Sequence, residues 1–170
     1  CIAHQKTTRF ILPDASSSIL NRVIGGNASE IYGSLESNGK VFLINSKGIV
    51  FGPDAQIQTA SFFASTLDAL DSEFLKGDEI SFSGNSKEAV VHLGTISASD
   101  GDAILIACHI ENKGLIEAKN GLAALAAGTH VFFAPMSNQK VWIRAGTLEE
   151  EKRELGIDNQ GRIQAQQIEI

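Results

Sequence analysis

Few side chains in this sequence could act as nucleophiles, bases or metal ligands. The histidines and cysteines are His4, His92, His109, His130, Cys1 and Cys108. No histidine has the spacing to another histidine, a cysteine or a carboxylate that marks a zinc site. Cys108 and His109 are adjacent, and adjacent strand residues point to opposite faces, so they cannot form a nucleophile–base pair. We predict surface or turn positions for His92 and His109, a buried, inert Cys108, and no metal or cofactor site.

Two carboxylates, Asp100 and Asp102, have the spacing that could place both on one face of an extended segment. Paired carboxylates of this kind serve in β-helical enzymes that degrade polysaccharides. However, Asp100-Gly101 has the composition of a turn, and Asn120-Gly121 follows at an equivalent place in the sequence. Since asparagine and aspartate both suit turns, the negative charge is not the common property. The sequence therefore favours a turn here and predicts that the chain is not an enzyme.

The charge balance excludes several classes of partner. The chain has 14 basic and 20 acidic residues and a net charge of −6, with no basic stripe. It therefore lacks the electrostatic footprint of nucleic-acid binding and the lysine-rich face that seeks anionic lipid. The longest apolar stretches are short and interrupted, so we predict no membrane insertion.

An internal repeat indicates which elements hold these residues in place. The segment Gly94–Ala98 is matched by Gly114–Ala118, an offset of 20 residues. The same offset relates Ala103 to Ala123 and Leu105 to Leu125, and shorter copies begin at Gly33 and Gly161. A repeat of this length cannot bury its own apolar face, so successive copies must stack.

The predicted fold class is therefore all-β, a parallel β-helix in which one coil stacks about 4.8 Å above the last. Ala103, Leu105, Ala123 and Leu125 alternate with other residues and should point inward, paired in parallel and in register. Glycine in the turns Asn38-Gly39, Asp100-Gly101 and Asn120-Gly121 permits positive φ, which other residues reach only at a cost. A β-sandwich, which also has many short strands, is the alternative fold.

We expect residues 1–170 to form a single domain. The segment Thr147–Glu154 breaks the alternation and is predicted to be a short polar insertion near the C-terminal end, exposed to solvent. Because the chain begins at Cys1 without methionine and stops at Ile170 inside a strand-like segment, we expect it to be a fragment of a longer protein.

Three sequence landmarks resemble the N-terminal secretion domain of filamentous-haemagglutinin-type exoproteins. They are Leu20–Asn27, Asn38–Gly52 and Ala64–Asp68, in family order, and the best match covers residues 10–130. The resemblance implies a right-handed parallel β-helix and two-partner (type Vb) secretion. It implies a domain that initiates folding and secretion of a large adhesin or cytolysin (haemolysin), found outside the cell or on the bacterial surface. The implied partner is an outer-membrane Omp85-type transporter with periplasmic POTRA domains.

The resemblance also places candidate recognition residues on this chain: Asn21, Arg22, Asn45, Gly48 and Ile49. The family usually has Asn-Pro-Asn-Gly-Ile where this chain has Asn45-Ser46-Lys47-Gly48-Ile49. Without the proline, we expect Asn45 to hold a surface turn by bonding its own backbone two residues on, with Gly48 at positive φ. A β-helical polysaccharide-degrading enzyme, or a domain that itself adheres to host surfaces, stays as an alternative function.

Overall fold

Short strands, three to a coil, wind into a parallel β-helix. The computed structural model describes residues 1–77, 79–134, 140–144 and 156–170, and for 140–144 it describes the backbone only. The first coil consists of β1 (Thr7–Phe10), β2 (Ser18–Arg22) and β3 (Ser29–Ile31). The second consists of β4 (Ser34–Ser37), β5 (Lys40–Ile44) and β6 (Ile49–Phe51).

The third and fifth coils are interrupted between their second and last strands. The third contains β7 (Gln56–Thr59), β8 (Ser61–Ser65), an excursion of β9 (Asp68–Ala69), α1 (Asp71–Lys76) and β10 (Ile80–Ser83), and then β11 (Ala89–His92). The fourth is β12 (Thr95–Ala98), β13 (Ala103–Ala107) and β14 (His109–Asn112). The fifth contains β15 (Leu115–Ala127), an excursion of β16 (His130–Ala134) and β17 (Lys140–Arg144), and then β18 (Gly156–Asn159). Finally, β19 (Arg162–Glu169) lies on β15.

Strand pairing confirms the predicted fold. Ala103 pairs with Ala123 and Leu105 with Leu125, parallel and in register, and all four side chains are buried in one core. The offset of 20 relates the fourth coil to the fifth. It fails where an excursion lengthens a coil, as between β7 and β12, where Gln56 pairs with Thr95. A β-sandwich would have paired consecutive strands antiparallel.

The two excursions form a sheet outside the helix. Strands β9, β10, β16 and β17 are joined antiparallel, although they come from coils that are not consecutive. This sheet covers the outer surface of the second strands, where Phe63 and Phe133 have ring centroids 5.1 Å apart. The middle of the protein is therefore buried on both faces, and β13 is buried at every position. The predicted insertion Thr147–Glu154 lies outside the described residues.

The turn glycines do not use the positive φ that glycine permits. In the described part of the chain, the glycines with positive φ are Gly48 and Gly77, not Gly39, Gly101 or Gly121. Close stacking is what requires glycine at Gly121, because a Cβ there would lie 2.4 Å from the backbone of Gly101 in the coil before. Glycine at these turns therefore permits close approach between coils rather than an unusual φ.

Candidate functional site

The three sequence landmarks meet at one corner of the helix. Each includes the end of the second strand of its coil, and these strands, β2, β5 and β8, are neighbours. The backbone N–H of Val23 donates to the Ile44 carbonyl at 2.8 Å, and that of Asn45 donates to the Ser65 carbonyl at 3.0 Å. Segments more than 20 residues apart in the sequence thus form one surface, which we call the signature corner (residues 22–29, 44–49 and 65–71).

Asn45 links two coils within the signature corner. Its Oδ1 accepts from the backbone N–H of Lys47 at 2.9 Å, which confirms the predicted turn contact. Its Nδ2 donates to the Asn27 carbonyl at 3.0 Å and to the Ser29 hydroxyl at 2.9 Å, both in the preceding coil. The side chain is fully buried, so the expectation of a surface turn was wrong for Asn45 itself. The exposed residues of the turn are Ser46 and Lys47.

Gly48 and Ile49 complete the corner beneath the surface. Gly48 has a φ of 100°, as predicted, and lies where the chain passes from the sheet of β5 to that of β6. A side chain there would be strained by this backbone conformation. Ile49 is fully buried and pairs with Ser29 on one side and Val90 on the other. Both residues shape the corner from within.

Arg22 fastens the end of β2 to the start of the extra-helical excursion. Its Nε donates to Asp68 Oδ1 at 2.8 Å, its Nη1 to Asp71 Oδ1 at 2.8 Å and its Nη2 to the Ala69 carbonyl at 2.6 Å. The hydrogen bonds with Asp71 and then Asp68 raise the pKa of the guanidinium above its ordinary value. Sequence reasoning quoted Asp68 within a landmark but missed both carboxylates as partners of Arg22.

Asn21 occupies a different environment from Arg22. It is half-buried on β2, where it pairs with Leu43 of the next coil. It lines a cavity of about 240 Å³ at the first coil, together with Phe10 and Leu43. The structure thus brings Arg22, Asn45, Gly48 and Ile49 into the signature corner and leaves Asn21 beside it.

A buried polar ladder was missed by sequence reasoning. His92 is fully buried, contrary to the predicted surface position, while His109 is exposed as expected. His92 Nδ1 lies 2.7 Å from Asn112 Oδ1, and Asn112 Nδ2 donates to Asn159 Oδ1 at 2.8 Å. Burial lowers the pKa of His92, and its Nε2 has no partner among the described residues. The repeat offset of 20 residues, which carries position 92 to 112, was the available signal.

The aspartates and the cysteine considered as catalytic candidates are hydrogen-bonded or buried within the fold. Asp102 Oδ1 accepts from the backbone N–H of Leu122 at 2.9 Å, and Asp100 Oδ2 accepts from the Ser99 hydroxyl at 2.6 Å. Burial raises the pKa of Asp102. Cys108 is buried, as predicted.

The described segments lack two kinds of functional feature. They contain no cluster of three or more histidine, cysteine, aspartate or glutamate side chains able to hold a metal ion. Within the same segments, no helix has the length and apolarity needed to cross a membrane.

The protein is a parallel β-helix with a small antiparallel sheet on its side and with all three sequence landmarks at one corner. These features are those of a class of protein, the secretion domains of exported exoproteins. The chain belongs to the TPS secretion domain family, whose model matches residues 2–170. Domains of this family are recognised by outer-membrane TpsB transporters.

Individual relatives agree with this assignment. The chain is 34% identical over 178 residues to a heme/hemopexin-binding protein of Haemophilus influenzae, covering 99% of this chain and 19% of that protein. A second heme/hemopexin-binding protein of Haemophilus influenzae is 43% identical over 67 residues, or 39% of this chain and 7% of its own length. The crystal structure of the HMW1 secretion domain from Haemophilus influenzae superposes with a TM-score of 0.81 at 28% identity, covering 98% of this chain and 47% of that one. The chain thus spans about a fifth of the first relative.

Proposed function

We propose that this domain is recognised in the periplasm by the POTRA domains of an Omp85-type transporter, and that it initiates folding of a large exoprotein outside the cell. The family membership and the signature corner carry this proposal. In a stacked fold each coil is a template for the next, so an ordered first unit lowers the barrier to adding more. As part of the same proposal, the whole exoprotein is an adhesin or a cytolysin.

Within the proposal, Asn21, Arg22 and the segment Asn45–Ile49 build the recognition region in different ways. Asn45, Gly48 and Ile49 are buried and hold the backbone, so their contribution is positional. Lys47 and Ser46 are the parts of that turn open to a partner. Arg22 donates to Asp68, Ala69 and Asp71 within the corner, so it too acts by positioning.

Titration of the purified chain with the purified POTRA region of its own transporter tests this proposal. We expect saturable binding, and weaker binding for Lys47→Glu, which reverses an exposed charge without touching the core. Lys6→Glu, an exposed charge reversal outside the signature corner, is the matched control. Absence of binding by the unmodified chain would overturn the proposal, and equal binding by both variants would remove the turn from the recognition region.

Adhesion to host surfaces and enzymatic cleavage of polysaccharide are the competing functions. Asp100 accepts a hydrogen bond from Ser99 within its own turn, and Asp102 accepts one from the backbone of Leu122 in the next coil, which disfavours a catalytic pair. Release of reducing ends from an acidic polysaccharide, lost in Asp102→Asn, would support the enzyme. Binding of the isolated domain to host cells, absent for an unrelated β-helix, would support adhesion.

A further inference from the structure

The signature corner exposes large apolar side chains on the two loops that Arg22 joins. Ile24 is 93% exposed and Leu70 is 63% exposed, and Val23, next to Ile24, is also on the surface. Single exposed apolar residues are ordinary on a soluble protein, but a group of them beside a fixed polar network marks a site of contact with another molecule.

Arg22 links the two loops that carry these side chains. Its guanidinium donates to the carbonyl of Ala69 at 2.6 Å and to the carboxylate of Asp71 at 2.8 Å, the residues on either side of Leu70. Ile24 follows Arg22 by two residues. These contacts therefore join the segment that carries Ile24 to the segment that carries Leu70. We call Ile24 and Leu70 the apolar patch.

The rim of the apolar patch is acidic. The Asp68 and Asp71 side chains are 61% and 70% exposed, and a single guanidinium, that of Arg22, stands between them. Two carboxylates against one cation leave a local negative charge, in a chain whose net charge is already −6. A complementary partner has an apolar depression bordered by lysine or arginine.

We infer that the apolar patch is the surface on which the periplasmic part of the transporter docks, with Ile24 and Leu70 as contact residues and Arg22 as a positioning residue. This inference rests on the proposed function and names the surface that it uses. Asn45 and Arg22 make their side-chain hydrogen bonds inside the corner, to Asn27, Ser29, Asp68 and Asp71. These bonds hold the segments that carry the apolar residues, which are exposed for contact together with Ser46 and Lys47.

Export by the transporter tests the inference directly. The full chain is produced with its transporter, and culture supernatant is compared with periplasm for the unmodified chain, for Ile24→Ser with Leu70→Ser, and for Ile11→Ser. Ile11 is 83% exposed and lies before β2, at the opposite end of that strand from Arg22, so it is a matched control. We expect the double variant to lose about tenfold in export and in affinity for the purified POTRA region, and the control to keep both.

The outcomes separate the inference from the proposed function. If the unmodified chain is not exported, the proposed function fails. If the unmodified chain is exported and the double variant equals the Ile11→Ser control, the apolar patch is not the docking surface. Thermal unfolding of the purified double variant should match that of the unmodified chain, because both side chains are exposed. Arg22→Gln should weaken binding and also lower the melting temperature, and Arg22→Lys should restore part of both.

Discussion

Replacing Asn45 with alanine should cost this domain a substantial part of its stability, although only one small side chain changes. Asn45 makes three side-chain hydrogen bonds, to the Asn27 carbonyl, the Ser29 hydroxyl and the Lys47 N–H. Asn27 and Lys47 are exposed, so water can take the place of the hydrogen bonds that they lose with Asn45. Ser29 is buried, so its hydroxyl loses a partner that water does not replace.

The magnitude follows from these differences in burial. A buried polar group left unsatisfied costs about 1–3 kcal/mol, and each hydrogen bond that water replaces costs about 0.5–1 kcal/mol. The sum for Asn45→Ala is about 2–5 kcal/mol. For a small domain with a urea m-value of about 2 kcal/mol per molar, the unfolding midpoint should fall by about 1–2.5 M.

Urea unfolding followed by circular dichroism measures this shift, with Ser46→Ala as the control. Ser46 is the next residue, but it is exposed, and its substitution should change stability by less than about 0.5 kcal/mol. Equal midpoints for the two variants would refute the claim that Asn45 joins the first two coils. The same measurement distinguishes a folding defect from a recognition defect when Asn45→Ala lowers secretion.

Three further predictions concern the interior. Gly121→Ala should destabilise the domain by about 1–3 kcal/mol in thermal unfolding, because the added Cβ would meet the backbone of the preceding coil. Gly25→Ala is the control and should be neutral, because a Cβ there has nothing within 4 Å. Equal effects of the two substitutions would contradict the close stacking. Burial holds the folded-state pKa of His92 below its ordinary 6.5, so the unfolded chain takes up the proton first, and stability should fall as pH drops below about 6.5. His92→Asn, compared with the unmodified chain in urea at several pH values, should lose that part of the acid sensitivity, and an unchanged pH profile would assign it elsewhere. Exposed Cys1 should react with a thiol reagent in the native protein and buried Cys108 only in denaturant, so rapid labelling of two thiols without denaturant would disprove the burial of Cys108.

The repeat made the helical core predictable, because inward positions such as Leu105 and Leu125 recur at a fixed offset and must stack. The extra-helical sheet was not predictable in the same way. In β13, Ile104 and Ile106 are as apolar as the inward residues, since the excursions cover them from outside. Alternation is lost wherever a strand is buried on both faces, and a sequence alone does not say what covers the second face.

At the signature corner, the turn conformation followed from residue type, but burial and partners did not. Positive φ at Gly48 and the bond from Asn45 to its own turn are local properties, which neighbouring residues determine. The Nδ2 atom of Asn45 donates to the preceding coil. Arg22 donates to Asp68 and Asp71, which are 46 and 49 positions away in the sequence. Such contacts depend on which coils carry excursions, and nothing in the local sequence records that.

The central claim is that this chain is a domain that directs secretion through an outer-membrane transporter. The most direct test places the whole chain, behind a signal peptide, ahead of a reporter enzyme that otherwise stays in the periplasm, in cells with and without the transporter. We expect reporter activity to reach the medium only when both the chain and the transporter are present. Reporter activity that stays in the periplasm with both present, while the chain is folded and intact, would contradict it.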